Sequence, residues 1–311
     1  MELKEIKNIV KQFIPNENII AFVKNKQGLI NQTFVVSTGN KDIRHFVLQA
    51  INTSVFPLYN KGLENIILVK NQLETSSFPY KFPAPISDKY ICIDDVIWRL
   101  TPFVEGSVCY KVSDKDMAFE AAKCLGSFYK SLHNFDVNKL HTTLPNFHNG
   151  NFRLMELDKS ITNADFDRLN NARELIKKIN SCRAILERFD KLNEELPKRV
   201  IHFDTKINNF LFDKATNQAK AIIDLDTLMP GSVLSDIGEM IRTFSNTLGE
   251  DSKDLIRVRS DIEIIQCIIS GFLGNCKDIL TNTEKDNLFF SGKAITLLQC
   301  IRFITDYLNN D

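Results

Sequence analysis

The stretch RVIHFDTKINNFLFDKATNQAKAIIDLDT, residues 199–227, decides how the chain is read. It sets His202-x-Asp204, then Asn209, then an apolar strand over Phe210–Phe212. Asp213–Asn217 makes a turn, and a second apolar strand, Ala219–Ile223, ends at Asp224 with Asp226 just beyond. A loop ahead of a hairpin therefore holds a carboxylate and a carboxamide, and the hairpin returns a second carboxylate to them. Carboxylate plus amide oxygen is a hard donor set suited to Mg²⁺, which keeps waters and phosphates as its other ligands. A carboxylate left off the metal can accept a proton from an attacking hydroxyl. The spacing thus predicts a phosphoryl-transfer layout, with Asp204 as base and Asn209 and Asp224 as metal ligands. His202 is expected to brace the loop by hydrogen bonding its backbone. Asp226 has three readings: assisting the metal, contacting substrate, or pointing to solvent. A His-x-Asp-x₄-Asn spacing alone can arise by chance; the apolar hairpin and its terminal aspartate make chance a poor account.

Upstream, the first third reads as strands. Ile19–Lys24 and Gln32–Thr38 flank the turn Asn25-Lys26-Gln27-Gly28, and Arg44–Asn52 is a third strand. Tyr59–Leu73 carries Leu63, Ile66, Ile67 and Val69 at helical spacing. Tyr90–Ile93 and Val96–Leu100 flank Asp94-Asp95 as a hairpin. The expectation is a five-stranded antiparallel sheet carrying one helix. After Pro102 the texture becomes helical, with helices expected over Asp116–Phe135, Asp165–Leu192, Ser235–Leu248, Lys253–Leu273 and Ser291–Asn309, and a loop over 139–153. The boundary falls near Phe103–Gly106, giving lobes of 1–103 and 104–311.

The 311 residues give a prior of about two domains. Lys plus Arg is 39 and Asp plus Glu is 39, so a basic surplus for nucleic acid is missing. No apolar run reaches the ~18 residues of a membrane span. The N-terminus MELKEIKNIVKQF has charges at helical spacing and no apolar signal core. Seven scattered cysteines without C-x-x-C read as reduced core thiols of a cytoplasmic protein, a monomer or homodimer with no membrane partner.

HFDTKINN followed by IIDLDT resembles the aminoglycoside phosphotransferase and choline kinase superfamily, which has the protein-kinase-like fold. The nearer resemblance is to its N-acetylhexosamine 1-kinase (mucin-desulfatase-like) branch. It rests also on Gly28–Phe34, Phe46–Asn52, Trp98–Gly106, Leu144–His148, Ile223–Gly231 and Arg302–Tyr307, in order along nearly the whole chain.

The resemblance implies an α+β bilobal fold, an antiparallel sheet lobe joined to a mainly helical lobe, and ATP with Mg²⁺ as cofactors. It places Gly28 and Asn31 in a loop over the nucleotide. Gln49 stands where kinases carry a phosphate-contacting lysine; Lys24, Lys26 or Lys206 are candidates for the lost charge. Glu64 occupies the place of the usual helix glutamate. Thr101–Glu105 becomes the linker that reads adenine, through the Val104 N–H and the Pro102 carbonyl. Asp236 resembles an aspartate that starts a helix and braces the catalytic loop, and is taken as structural. His148 with Asn149, Asp226, Arg302 and Tyr307 are the acceptor-side candidates. The branch continues beyond the Thr-Asp-Tyr-Leu segment, whereas this sequence ends at Asp311. The implied acceptor is the anomeric hydroxyl of an N-acetylhexosamine, with choline, an aminoglycoside or another small alcohol as alternatives. A nucleotide-binding pseudokinase is the rival from another class.

Overall fold

The computed structural model describes residues 2–25, 30–39, 42–109, 111–112, 114–249 and 252–310. Five strands form one antiparallel sheet: β1 (Ile19–Asn25), β2 (Gln32–Gly39), β3 (Ile43–Ile51), β4 (Ile91–Ile93) and β5 (Val96–Pro102), in the order β1-β2-β3-β5-β4. Side chains alternate faces along a strand. Even-numbered Phe34, Val36, Phe46, Leu48, Trp98 and Leu100 therefore share one buried face. Odd-numbered Thr33, Val35, Val47, Gln49, Arg99 and Thr101 line a cleft on the other. Helix α1 (Leu3–Phe13) adds Ile6, Ile9 and Val10 to the buried face, so the sheet carries one helix more than its sequence predicts.

Helix α2 (Tyr59–Thr75) sends Ile66, Val69 and Leu73 into the larger core, shared with the C-terminal helices. Fully buried Asn65 fixes it there. Its amide donates to the carbonyls of His141 and Leu228, each at 2.8 Å, and its oxygen accepts the His141 N–H at 2.8 Å.

The helical part contains α3 (Lys115–Ser131), α4 (Gly150–Asn163), α5 (Phe166–Ser181), α6 (Arg183–Glu195), α7 (Val233–Phe244), α8 (Ile262–Cys276) and α9 (Asn282–Asn309). Four departures from the sequence reading have local causes. Helix α4 starts inside the expected loop, because Asn149 caps it and the Asp190 carboxylate accepts the N–H groups of Gly150 and Asn151 at 2.8 and 2.7 Å. The expected helix 165–192 breaks at Cys182, next to a Ser181 hydroxyl that donates to the Lys178 carbonyl at 2.7 Å. Helix α8 begins only at Ile262, where Asp261 accepts the N–H groups of Glu263 and Ile264. Helix α9 begins at Asn282, set by a Thr281–Glu284 capping box. By length and composition α9 could cross a membrane, but it packs on α4, α5, α6 and α7 and buries Leu288, Ala294, Ile295, Leu298 and Ile301.

Two glycines bring α7 close to α9. A Cβ at Gly238 would meet Ile295 and, at 2.7 Å, the Ser291 carbonyl; one at Gly292 would strike Ile241. Asp236, two residues before Gly238 on α7, holds the segment that carries the expected catalytic residues. That segment contains β7 (Arg199–Ile201), β8 (Phe210–Phe212), β9 (Ala219–Ile222) and β10 (Met229–Gly231). β7 pairs with β10, and β6 (Ser107–Val108) joins β8 and β9 in a second small sheet. Arg199 locks β7 to the start of α9 through Glu284, at 2.7 and 3.0 Å.

Candidate active site

The loop after β7 is held by a buried aspartate. Asp236 Oδ2 accepts the His202 N–H at 3.0 Å and the Tyr129 hydroxyl at 3.0 Å, and Oδ1 accepts the Phe203 N–H at 2.7 Å. Phe203 sits at φ 65°, a left-handed conformation costly for a bulky side chain, and the aspartate helps to maintain it. Burial pushes the Asp236 carboxyl up to about 6, against the pull of those donors. Its structural role is as expected, but α7 is capped by Ser232, so Asp236 braces the loop rather than capping the helix. His202 is fully buried. Its Nδ1 accepts the Asp204 N–H at 3.3 Å and its Nε2 meets the Ile223 carbonyl at 2.9 Å, an arrangement satisfied when Nε2 carries the hydrogen. It ties the loop to the end of the hairpin.

The residue before Asp224 is tied to Asn209 through backbone: the Ile223 N–H donates to the Asn209 carbonyl at 2.9 Å. The Asn209 amide donates to Asp204 Oδ2 at 2.9 Å and to the Asp204 carbonyl at 2.8 Å. Lys206 Nζ lies 3.1 Å from Asp204 Oδ1. That use of Nδ2 leaves the Asn209 amide oxygen without a partner among the described residues. Asp224 also has no hydrogen bond among them. It stands at φ 61°, its side chain open to the cleft. Enclosure by the cleft walls, then the charges of Asp226 and Asp204, push its carboxyl up to about 7 even so. Two hard oxygen donors that line one cleft, in a setting that disfavours a lone anion, fit a divalent cation such as Mg²⁺.

Asn31, Gln49, Pro102, Val104, Asp204, Asn209 and Asp224 all line one cleft of about 380 Å³ between the sheet and the catalytic segment. Phe103 gives its N–H to the His45 carbonyl at 3.2 Å, whereas the Val104 N–H has no partner among the described residues. Gly28 and Lys26 lie outside the described residues.

The polar groups under the sheet differ from expectation. Gln49 Oε1 accepts from Arg99 Nε at 2.9 Å, and its amide donates to Thr33 at 3.1 Å. Asn31, assigned to a phosphate, donates instead to Asp226 Oδ2 at 2.9 Å and accepts the Asn52 N–H at 2.9 Å. Asp226 is neither solvated nor free for an acceptor. Both its oxygens are engaged by the Arg99 fork, NH1 to Oδ1 and NH2 to Oδ2 at 2.8 Å, and the two residues are 4% and 8% exposed. Burial alone would lower the Arg99 guanidinium, but Asp226 more than offsets it and raises it. Lys24 lies over the Phe34 ring, and Glu64 pairs with Lys61 and His141 at the surface. Arg99 and Asn65 are the polar residues that the sequence reading missed. Each left a signal: a charge inside the apolar run Val96–Pro102, and an amide on the apolar face of α2.

The acceptor-side candidates do not line the cleft. His148 is buried, stacked on Phe147 at 4.9 Å and edge-on to Phe203 at 5.4 Å, with Nδ1 unpartnered. Burial, then Arg302, lowers it to about 3; Arg153 and Arg242 act in the same direction and Asp204 opposes them. Arg302 lies over the Phe147 ring at 5.6 Å and donates to Gln299 at 2.9 Å. Tyr307 faces outward under Arg168, which stacks on its ring at 5.0 Å and donates to its carbonyl at 2.6 Å. Asn149 caps α4 and is occupied there.

Residues 22–258 match the family described as APH, phosphotransferase enzyme family. The aminoglycoside phosphotransferase of Alicyclobacillus acidocaldarius superposes with a TM-score of 0.62 at 13% identity, over 98% of this chain and 93% of that one. The streptomycin–ATP ternary complex of APH(2'')-IIa gives 0.54 at 13% identity, over 99% of each chain. Macrolide 2'-phosphotransferase type I gives 0.56 at 12% identity, over 99% and 97%. The fold is thus the bilobal, protein-kinase-like one. On the family match and this fold together, the chain belongs to the phosphotransferase enzyme family, within the aminoglycoside phosphotransferase and choline kinase superfamily.

Proposed function

We propose that this small-molecule phosphotransferase uses ATP with Mg²⁺ and phosphorylates the anomeric hydroxyl of an N-acetylhexosamine, giving a sugar 1-phosphate. The observation that carries the reading is the convergence of Asp204, Asn209 and Asp224 on the cleft that Pro102 and Val104 also line. The Val104 N–H, without a partner among the described residues, can donate to adenine, and a protein of this fold forms a ternary complex with ATP and streptomycin.

Asp204 has the geometry of a general base. Asn209 and Lys206 each engage one of its oxygens, which fixes the carboxylate while each oxygen keeps a lone pair for an incoming hydroxyl. In the transfer, the acceptor oxygen bonds to the γ-phosphorus as the bond to the ADP oxygen breaks. The hydroxyl proton passes to Asp204 and then to solvent. Mg²⁺ held by the Asn209 amide oxygen and Asp224 would supply charge neutralisation on the phosphates. The sugar itself rests on the likeness of the segments around Asp204 and Arg302 to the N-acetylhexosamine 1-kinase branch.

The test is ADP release from Mg·ATP with N-acetylglucosamine, N-acetylgalactosamine, choline and an aminoglycoside. Turnover is expected with an N-acetylhexosamine. Turnover confined to choline or the aminoglycoside overturns the acceptor, and nucleotide binding without turnover on any of them makes the chain a pseudokinase.

A further inference from the structure

Kinases of this fold pair a lysine on the third strand with a glutamate on the following helix, and the pair has to be in place for phosphate positioning. Neither partner is available here. Gln49 stands in the lysine's place with its carboxamide committed at both ends, to Arg99 and to Thr33. Glu64 is at the surface with Lys61 and His141.

One strand over, the register sets Arg99 directly opposite Gln49, on the cleft face. Its fork closes on Asp226, two residues beyond Asp224. Asn31, just before β2, closes on the same carboxylate and is anchored to Asn52, just after β3. Arg99 and Gln49 belong to the sheet, and Asn31 and Asn52 directly flank its strands; Asp226 follows the hairpin that ends at Asp224. The pair therefore spans the cleft floor instead of staying within the sheet lobe.

We propose that Arg99 takes over the task of the missing third-strand lysine, as a positioning residue whose clamp on Asp226 holds the sheet against the loop that presents Asp224. A planar fork on a carboxylate fixes direction as well as distance, which a lysine does not. The clamp also pairs the Asp226 carboxylate with a cation of the sheet. The proposal rests on the nucleotide reading above.

Calorimetry with Mg·ATP and with adenosine tests it on the wild type, Arg99→Met, Gln49→Lys and the double variant. Arg99→Met is expected to weaken Mg·ATP by roughly ten- to a hundred-fold, the range of a charge-assisted hydrogen bond, and to leave adenosine unchanged. Gln49→Lys alone is expected to give no tighter Mg·ATP binding, because the cation is already present. In the double variant, Lys at position 49 is expected to recover most of the loss. Unchanged Mg·ATP binding in Arg99→Met overturns the proposal, as does an equal loss for adenosine, which marks a purely structural part. If Arg99→Met does not fold, Gln49→Lys decides: a tenfold gain for Mg·ATP alone overturns the proposal, and no gain supports it. A wild type that binds adenosine but no Mg·ATP defeats the nucleotide reading itself, and is distinguished from failure of the clamp by that first arm.

Discussion

The two sides of Asp204 are built differently. Toward the sheet, Asn209, Asp224, Asp226 and Arg99 come together within one short chain segment and one paired strand, and their polar atoms point at one another or into the cleft. Away from the sheet, the adjacent Phe147 and His148 turn their rings against Phe203, Arg302 of α9 lies over the Phe147 ring, and Tyr307 looks outward. The first side is made by spacing along a hairpin. The second is made by tertiary packing, where a residue's type says little about its direction.

The largest expected contrast lies between two aspartates two residues apart. Asp224→Ala removes the cleft-facing carboxylate proposed to hold the metal. Activity is expected to disappear, with partial rescue by raised Mg²⁺, and the melting temperature should hold, since a like charge leaves the neighbourhood of Asp204 and Asp226. Asp226→Ala instead strands the buried Arg99 and is expected to cost about 3–5 kcal/mol of stability. Steady-state assays with a Mg²⁺ series and thermal melts on both variants check this; matching melting losses would erase the distinction.

On the other side, His148 offers a pH test. Its ordinary value is near 6.5, and the fold lowers it to about 3. The unfolded chain then binds the extra proton first, so this contribution is complete above about 6.5 and is lost as pH falls toward 3. Between pH 6.5 and 5 the loss comes to about 1.6 kcal/mol. His148→Phe keeps the stacking on Phe147 and Phe203 and is expected to lose that part of the acid sensitivity. Urea unfolding at both pH values, wild type against variant, cancels the other groups, including Asp236 with its opposite sign; equal slopes would remove His148 from the account.

Smaller effects are expected on α9. Arg302→Ala loosens the Phe147–His148 layer behind Phe203 and should raise the acceptor KM by up to about tenfold, with the ATP KM unchanged. Tyr307→Phe, at a surface stacked by Arg168, should change neither and should shift stability by less than about 0.5 kcal/mol. Equal effects from the two substitutions would mean that α9 presents a different face to the acceptor.

The same division explains what was legible in the sequence. The hairpin and its three polar residues were readable because apolar strands of fixed length carry them, and the alternating strands of the sheet were readable for the same reason. Arg99 was visible as a charge in a buried strand, but its partnership with Gln49 depends on register, and that with Asp226 on how the lobes meet. Helix α4 was missed because, beside the Asn149 cap, its first N–H groups are taken by Asp190, far along the chain. The break at Cys182 interrupts a pattern that would run on by periodicity alone. Asp226 was read as a substrate residue because exposure, not type, separates it from Asp224.

The central claim is that Asp204 takes the acceptor's proton at a site where the nucleotide is held by other residues. Asp204→Asn keeps the shape and the neighbours Asn209 and Asp224. Turnover of the acceptor and Mg·ATP affinity are measured on the same preparation. The account predicts a fall in kcat of about 10²–10⁴ with Mg·ATP affinity nearly unchanged. Near-normal turnover in Asp204→Asn would contradict it.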